Sequence, residues 1–339
     1  MLDIFRSNLF GVIELTDAIN SPIFRPRRLA SLGLFQETPV ATTTVMIEMR
    51  GGQLVLVAPS PRGGPGQTID KVKRNGRPFS IPHFEINDGV MAEEVQGVRA
   101  FGSEDQVMFL QDLLSERLML HRESHEVTIE YSRIGAVQGL VTYADGTQLN
   151  LFTEFGVAPE PEANLDLANA NPEPGGLRKL CAGLTRKMGG NLDGIPFSGI
   201  RAVCGDDLFD ALLQHPEVRA TFLNNPAAEQ LRQAYIGPNG EIWGQFEFGG
   251  IVWENYRGGV GATKFVNDDK ANLFPIGVPG LFRTYFAPAD YIETVNRPGQ
   301  RTYAKQYEMP NGKGIHLDSQ TNNLNICTRP KALMTARRA

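Results

Sequence analysis

Three features of the sequence predict an α+β fold in which a helix-rich middle is set between two strand-bearing flanks. A long helical pattern runs over residues 103–134. Strand-like stretches lie on either side of it, at 44–58, 79–86, 137–143 and 148–155, and again beyond residue 272. Between the flanks, helical periodicity occupies 177–188, 206–214 and 226–235. Because strands precede and follow this middle, the first domain is expected to be discontinuous, its N- and C-terminal parts completing each other.

The long helix organises the chain. Ser103 followed by Gln106 forms a capping-box start, and Glu104 and Asp105 complement the positive helix N-terminus. Val107, Leu110, Leu113, Leu114 and Leu118 recur at three-to-four-residue spacing, and neither Gly nor Pro interrupts before Gly135. Such a helix would be on the order of 45 Å long. Its first half has an apolar face. Its second half (His121, Arg122, Glu123, Ser124, His125, Glu126) is polar, so that half is expected to face solvent or a neighbouring molecule.

Composition bounds the function. With 339 residues, 41% of them hydrophobic, the chain can bury a full core, and its length suggests two domains. A formal charge of −5 argues against a dedicated nucleic-acid binder. Three widely spaced cysteines, Cys181, Cys204 and Cys327, form neither a disulfide framework nor a zinc ligand set, and are expected as buried small hydrophobes. No run approaches the ~18 apolar residues of a membrane span. The N-terminus lacks a signal-peptide layout, which predicts a soluble product made where it is used.

Taken in order, residues 1–40 carry scattered hydrophobes and a basic, proline-punctuated patch at Arg25, Arg27 and Arg28, too sparse to fold alone. A short helix could start at Thr16. The segment reads as an arm that orders against something larger. Val45, Ile47 and Met49 then alternate with Thr44, Met46 and Glu48 as in a strand, and an apolar run follows at 54–58. Residues 59–82 are rich in Gly and Pro and carry Arg62, Lys71, Lys73, Arg74 and Arg77 against one acid, Asp70. This stretch cannot supply a core and is expected to be the tip of a projecting loop, with 79–86 as the returning strand. For its charge, simple solvation and a docking role stand level.

After the long helix, Asp145-Gly146 turns a hairpin between 137–143 and 148–155. Residues 156–176 mark a linker or domain boundary. In the middle, a strand is expected at 199–203, and Gly249-Gly250 joins a hairpin of 242–248 with 251–256. Strand-like pieces at 273–278, 303–309 and 324–328 complete the chain before a basic tail.

A search for chemistry finds no catalytic constellation. His121 and His125 lie four apart on one helix face with Glu123 between them. Zinc hydrolases use this His spacing, but there the Glu directly follows the first His, where this chain has Arg122, and no third ligand stands at a natural spacing. A solvated helix face is favoured over a metal site. Gly258-Gly259-Val260-Gly261-Ala262-Thr263-Lys264 has Lys and Thr in the wrong order for a phosphate loop, and a glycine turn is favoured. Ser198 lacks the spacing of a nucleophile elbow. Trp243 and Trp253, in opposing hairpin strands, are expected in the core or an interface. What remains unexplained is extended: an arm, a long loop and an over-long helix.

These features, in this order, resemble the lambda-type capsid protein E family of tailed-bacteriophage major capsid proteins. The matching stretches are Pro39-Val40-Ala41-Thr42-Thr43-Thr44-Val45, Ala58-Pro59 with Arg62-Gly63, Phe79-Ser80-Ile81-Pro82-His83 and Glu94-Val95-Gln96-Gly97-Val98-Arg99. Near the other end are Tyr285-Phe286-Ala287-Pro288-Ala289-Asp290, Val295-Asn296, Tyr303-Ala304-Lys305 and Arg329-Pro330. No single piece is specific, but their order and spacing together are.

The resemblance implies a Hong Kong 97-type capsid fold: an N-terminal arm at 1–43, an extended loop at 44–92, a peripheral domain at 93–155 with 285–339, its spine helix at about 103–134, and an axial domain at 156–284. It implies a structural protein without enzymatic activity or cofactor. Copies would assemble as pentamers and hexamers into an icosahedral head shell around double-stranded DNA, without sequence-specific DNA binding and without a membrane. A scaffold, a portal and a decoration protein are the further partners it implies, with assembly in the host cytoplasm and the virion as destination. Candidate subunit-interface residues are Arg25, Arg27, Arg28, Arg62, Lys71, Lys73, Arg74 and Arg77. Some relatives cross-link a Lys of this loop to an Asn of a neighbour, which Lys71 and Lys73 leave open. Two rivals are a cellular nanocompartment shell of the same fold and a metal-dependent hydrolase built on His121, Glu123 and His125.

Overall fold

The computed structural model describes residues 28–50, 74–95, 106–169, 171–223 and 244–339. In chain order, the single turn α1 (Arg28–Ser31) leads to β1 (Gln36–Pro39), β2 (Thr44–Arg50), β3 (Arg74–Ser80), β4 (His83–Met91) and the short α2 (Ala92–Val95). The long helix α3 (Gln106–Gln138) follows, then β5 (Leu140–Thr142), β6 (Gln148–Asn150), α4 (Leu151–Phe155) and β7 (Ala163–Asn164). Next come α5 (Gly176–Asn191), β8 (Gly199–Cys204), α6 (Asp206–Gln214) and α7 (Pro216–Leu223). After these are β9 (Gln245–Phe248), β10 (Ile251–Asn255), β11 (Gly259–Val260), β12 (Thr263–Lys264) and β13 (Lys270–Ile276). The chain closes with β14 (Phe282–Phe286), β15 (Tyr303–Glu308), β16 (Gly314–Cys327) and β17 (Met334–Arg337).

Two units divide these elements. The first comprises the described parts of Met1–Ile47, Gly76–Tyr131 and Arg283–Asn325; the second those of Glu48–Asn75, Ser132–Phe282 and Ile326–Ala339.

The first unit is built on β16. This 14-residue strand runs antiparallel to β4 from Gly314↔Met91 to Asn322↔His83, and antiparallel to β15 from Ile315↔Glu308 to Gln320↔Tyr303. It also borders β14, which pairs in parallel with β1. Leu114 and Leu118 of α3 pack with Val90, Ala304, Ile315 and Leu317 of these strands, so the apolar stripe of the helix finds the sheet as its period requires. The expected returning strand 79–86 is instead two strands. β3 ends at Ser80 and β4 begins at His83, because Pro82 has no N–H to continue a ladder. β2 and β3 pair with each other as a two-stranded ribbon.

In the second unit a six-stranded sheet has the order β7-β17-β13-β8-β10-β9. β8 is parallel to β10 and antiparallel to β13, and β17 joins β13 antiparallel and β7 in parallel. One face of every long strand feeds a single core: Ile200, Ala202 and Cys204, then Ile251 and Trp253, Ala271 and Leu273, Met334 and Ala336. This is the period of two that strands impose. Leu177, Cys181 and Met188 of α5, Leu208, Phe209, Leu212 and Leu213 of α6 and Val218 of α7 cover that face. Trp253 pairs across the hairpin with Phe246 and donates from its indole nitrogen to the Phe248 carbonyl (3.1 Å). The expected partner Trp243, like the helix expected at 226–235 and the one from Thr16, lies outside the described residues.

Local chemistry trims several expected boundaries. The hairpin turn at Asp145-Gly146 forms as read, with Tyr143 N–H on the Thr147 carbonyl (2.9 Å) and Asp145 Oδ1 accepting from Thr147 N (3.0 Å) and Oγ1 (2.7 Å). Its strands are only three residues long, because Asn150 caps α4 by accepting from Phe152 N (3.0 Å) and Thr153 N (3.2 Å). Gly258–Lys264 contains the ribbon β11–β12, followed by strand β13 and not by the helix a phosphate loop needs; Lys264 Nζ meets Asp268 (2.6 Å) and Asp206 (3.4 Å). Cys181, Cys204 and Cys327 are free and buried, as expected.

Candidate functional site: a polar seam and the surface around it

The sharpest pair of the sequence, His121 and His125, lies on the half of α3 expected to be exposed. The structure reverses that expectation. His121, His125, Glu126, Glu130 and Arg133 are buried, and only positions such as Glu123 and Ser124 remain exposed. A polar helix face turns inward when its surroundings supply hydrogen bonds: Ser319 of β16 meets both histidines, Arg301 pairs with Glu126, and Leu29 N–H donates to Glu130 Oε1 (2.9 Å).

Ser319 Oγ, at the middle of β16, lies 3.0 Å from His121 Nδ1 and 2.9 Å from His125 Nε2. A hydroxyl has one proton, so it donates to one ring and accepts from the other. His121 Nε2 lies 3.4 Å from Asp88 Oδ2, which assigns the proton of that ring to Nε2 and leaves Nδ1 as acceptor. The chain of donors is then His125 Nε2–H to Ser319 Oγ–H to His121 Nδ1, with His121 Nε2–H directed at Asp88. Both rings are neutral in this arrangement. Burial pushes His125 down to about 4, with the nearby His121 adding to the effect. Burial also lowers His121, opposed by Asp88. Arg117 closes the seam, with Nη1 2.9 Å from Asp88 Oδ2 and Nη2 2.9 Å from Glu94 Oε2. Asp88 is held below its ordinary value by the Gly89 N–H, Arg117 and His121, which together outweigh burial.

The seam continues along β16. Gln320 Oε1 accepts from Asp290 N (2.9 Å), Thr321 Oγ1 donates to the Arg301 carbonyl (2.7 Å), and Asn322 Nδ2 donates to the Pro288 carbonyl (2.7 Å). Asn325 donates to Asn323 Oδ1 (2.8 Å) and accepts from Thr284 Oγ1 (2.6 Å). Nearby, Arg301 forms a two-point pair with Glu126 and also reaches Glu37, tying α3 to β1. A bidentate guanidinium–carboxylate pair fixes orientation as well as charge.

This geometry is structural. The ring nitrogens that a metal would need from His121 and His125 together face Ser319, and Glu123 is exposed on another side of the helix. Among the described residues no group of three or more His, Cys, Asp or Glu is placed to hold a metal ion. The seam partners Asp88, Arg117, Arg301 and Ser319 carried no signal in the sequence, since Ser319 is 198 positions from His121.

Of the basic interface candidates, Arg25, Arg27, Arg62, Lys71 and Lys73 lie outside the described residues. Arg28 opens α1, Arg74 opens β3 and Arg77 stands exposed three residues along the same strand. The described surface adds apolar residues that the sequence did not single out, Ile292 at 89% exposure and Met119 and Leu120 on α3, and exposes Val295 at 63%. No described helix is long and apolar enough to cross a membrane.

The seam fastens a long helix to a sheet. Comparison with known families places the chain. The model of the phage major capsid protein E family matches residues 11–338. The chain belongs to this family. Two phage relatives, each described as a major capsid protein, are similar over nearly their full length. That of Pseudomonas phage KPP10 is 26% identical, covering 96% of this chain and 97% of its own. That of Salmonella phage Felix O1 is 24% identical, covering 99% and 98%. Among solved structures, a crystal structure described as a prophage capsid protein from E. coli CFT073 superposes with a TM-score of 0.64 at 12% identity, over 97% of this chain and 99% of that one. The capsid of cyanophage P-SCSP1u gives 0.51 at 10% identity, over 94% and 90%. The fold is therefore the Hong Kong 97-type capsid fold expected from the sequence. The protein is a phage major capsid protein, a structural component of the virion.

Proposed function

We propose that copies of this major capsid protein close into pentamers and hexamers of an icosahedral head shell enclosing double-stranded DNA, with a scaffold, a portal and a decoration protein as further partners and the host cytoplasm as the place of assembly. The observation that carries this reading is the family match over residues 11–338, supported by a fold shared with a prophage capsid chain from end to end. In this layout residues 1–43 are the arm, 44–92 the extended loop, 93–155 with the return from 285 the peripheral part, and 156–284 the axial part, whose sheet takes its β17 strand from the C-terminal segment. A patch that binds a different patch on the next copy makes a heterologous contact, which closes into a ring where the rotation permits. Many such contacts made together hold a shell even when each is reversible. The chain works as a mechanical unit and not as a catalyst, and its charge of −5 keeps packaged DNA from adhering to the inner wall.

Sedimentation and negative-stain electron microscopy of the expressed protein test the reading. Closed uniform shells, or rings of five or six subunits, are expected, from the protein alone or once scaffold is co-expressed. A protein that stays monomeric under both conditions overturns it.

A further inference from the structure

The loop between β14 and β15, within the first unit, presents two apolar side chains on a backbone pinned from several directions. Its 3-10 turn spans Ile292–Thr294. Thr294 is buried, and its hydroxyl donates within reach of two carbonyls, Ala289 (2.6 Å) and Tyr291 (2.9 Å). Asp290 N–H is held by Gln320 of β16, and Gly299 N–H by the Val40 carbonyl (2.9 Å). Lys305 of β15 binds Glu293 at 2.9 and 3.1 Å and sits 5.2 Å from the centre of the Tyr291 ring. Beneath the turn, Ala289, Tyr291 and Tyr303 pack together.

On top of this platform, Ile292 is 89% exposed and Val295, whose N–H closes the turn on the Ile292 carbonyl (3.5 Å), is 63% exposed. Residues three apart in a 3-10 turn lie on one side of it. Both side chains are β-branched and stiff at χ1, so burying them costs little conformational entropy. Single exposed hydrophobes are common on monomers and need no explanation. An adjacent, rigid pair raised on a pinned turn, with exposed Asp290, Glu293 and Arg297 around it, instead has the anatomy of a small interface centre, apolar in the middle and polar at the rim.

We propose that Ile292 and Val295 form an apolar knob that buries itself in a second copy of this chain in the assembled shell. The inference rests on the shell reading above. The occupant is a copy because a major capsid protein is surrounded in its working state by copies of itself, and because the convex apolar pair offers no donor to a DNA phosphate and no concavity to a small ligand. Heterologous contact needs no symmetry at the knob, so the receiving surface is a different patch of the neighbour.

The test introduces a thiol. All three native cysteines are buried, so Ile292→Cys supplies an accessible one. Shells of this variant are treated with a maleimide, intact and then after denaturation. The expected result is labelling of the introduced thiol in intact shells at least tenfold slower than in shells of Glu173→Cys, a variant altered at an exposed position, with full labelling of both after denaturation. Equal rates for the two variants in intact shells overturn the proposal. Ile292→Asp provides the second measurement: subunits that melt as wild type but yield at least tenfold fewer shells support the knob, and wild-type shell yield refutes it. If Ile292→Cys itself melts as wild type but forms no shells, that also counts for the knob. Wild-type protein is run in parallel; if it forms no shells even with scaffold, the shell reading fails and not the knob.

Discussion

His125 illustrates what one buried residue does to the pH response of this protein. Its ring is 2% exposed, faces Ser319, and has His121 on the same helix face, with Asp88, Arg117 and Asp318 the charged groups about the pair. Its folded value of about 4 lies below the ordinary 6.5, so the unfolded chain binds this proton more readily than the folded one. Stability from this group is complete above about 6.5 and is lost as pH falls from there towards 4. Between pH 7 and pH 5 the loss is about 2 kcal/mol, a fall in melting temperature of about 3 °C for a chain of 339 residues. His125→Gln keeps a side-chain donor and removes the titration. Thermal unfolding should show a smaller pH 7 to pH 5 decrement in the variant than in wild type, the remainder coming from groups such as His121 that burial also lowers, and an undiminished decrement would place the pH dependence elsewhere. The i,i+4 spacing of the two histidines is legible in the sequence, but the direction they face is not. A polar helix face reads as solvated unless the polar strand that satisfies it can be seen, and Ser319 sits far along the chain.

At the scale of elements the same reason explains the largest omission. Only 324–328 reads as strand near the C-terminus, whereas β16 spans Gly314–Cys327. Its polar run of Asp318, Ser319, Gln320, Thr321, Asn322 and Asn323 breaks the apolar pattern by which strands are recognised, yet all six are buried. The central strands β8, β10 and β13 and the helices α5 and α6, by contrast, follow plain periodicity and are readable within a few residues. The two-residue β7, the four-residue β17 and the eight-residue α7 are too short to show a period and were not expected. The end of α3 misleads for a different reason. Gly135 looks like a stop, but the helix passes through it to Gln138, and the glycine that ends it is Gly139 at φ +82. Gly135 is there for packing: a Cβ would stand 2.7 Å from Val141 Cα and 3.0 Å from the Leu140 carbonyl oxygen, both backbone atoms. Helix propensity alone would make Gly135→Ala stabilising by about 1 kcal/mol. The contact with β5 reverses the sign, and a net destabilisation of about 1–3 kcal/mol is expected. Chemical denaturation of the variant decides between the two, a midpoint at or above wild type showing that propensity wins.

At the scale of the whole molecule, the proposed shell assigns the parts of the sequence that cannot supply a core to contacts between copies. Arg62, Lys71, Lys73, Arg74 and Arg77 against a single acid, Asp70, carry a local positive charge on a chain whose total is −5, so the surface a neighbour offers is on balance acidic. Under the proposed shell reading, a contact made by such charges would contribute little per pair at an exposed surface, but every copy would make it at once, and closure of the shell would multiply it. Reversing Lys73 and Arg74 to Glu together should therefore leave the melting of the subunit within about 0.5 kcal/mol of wild type, the usual range for surface substitutions, while shell yield falls severalfold at physiological salt. Salt gives the control, since surface charges are screened beyond roughly 3 Å at 1 M. Raising the salt should lower the wild-type yield towards that of the double variant and change the variant less. Measured by sedimentation, full shell yield from the double variant at low and high salt would mean that these charges are merely solvated and that apolar contacts alone close the shell.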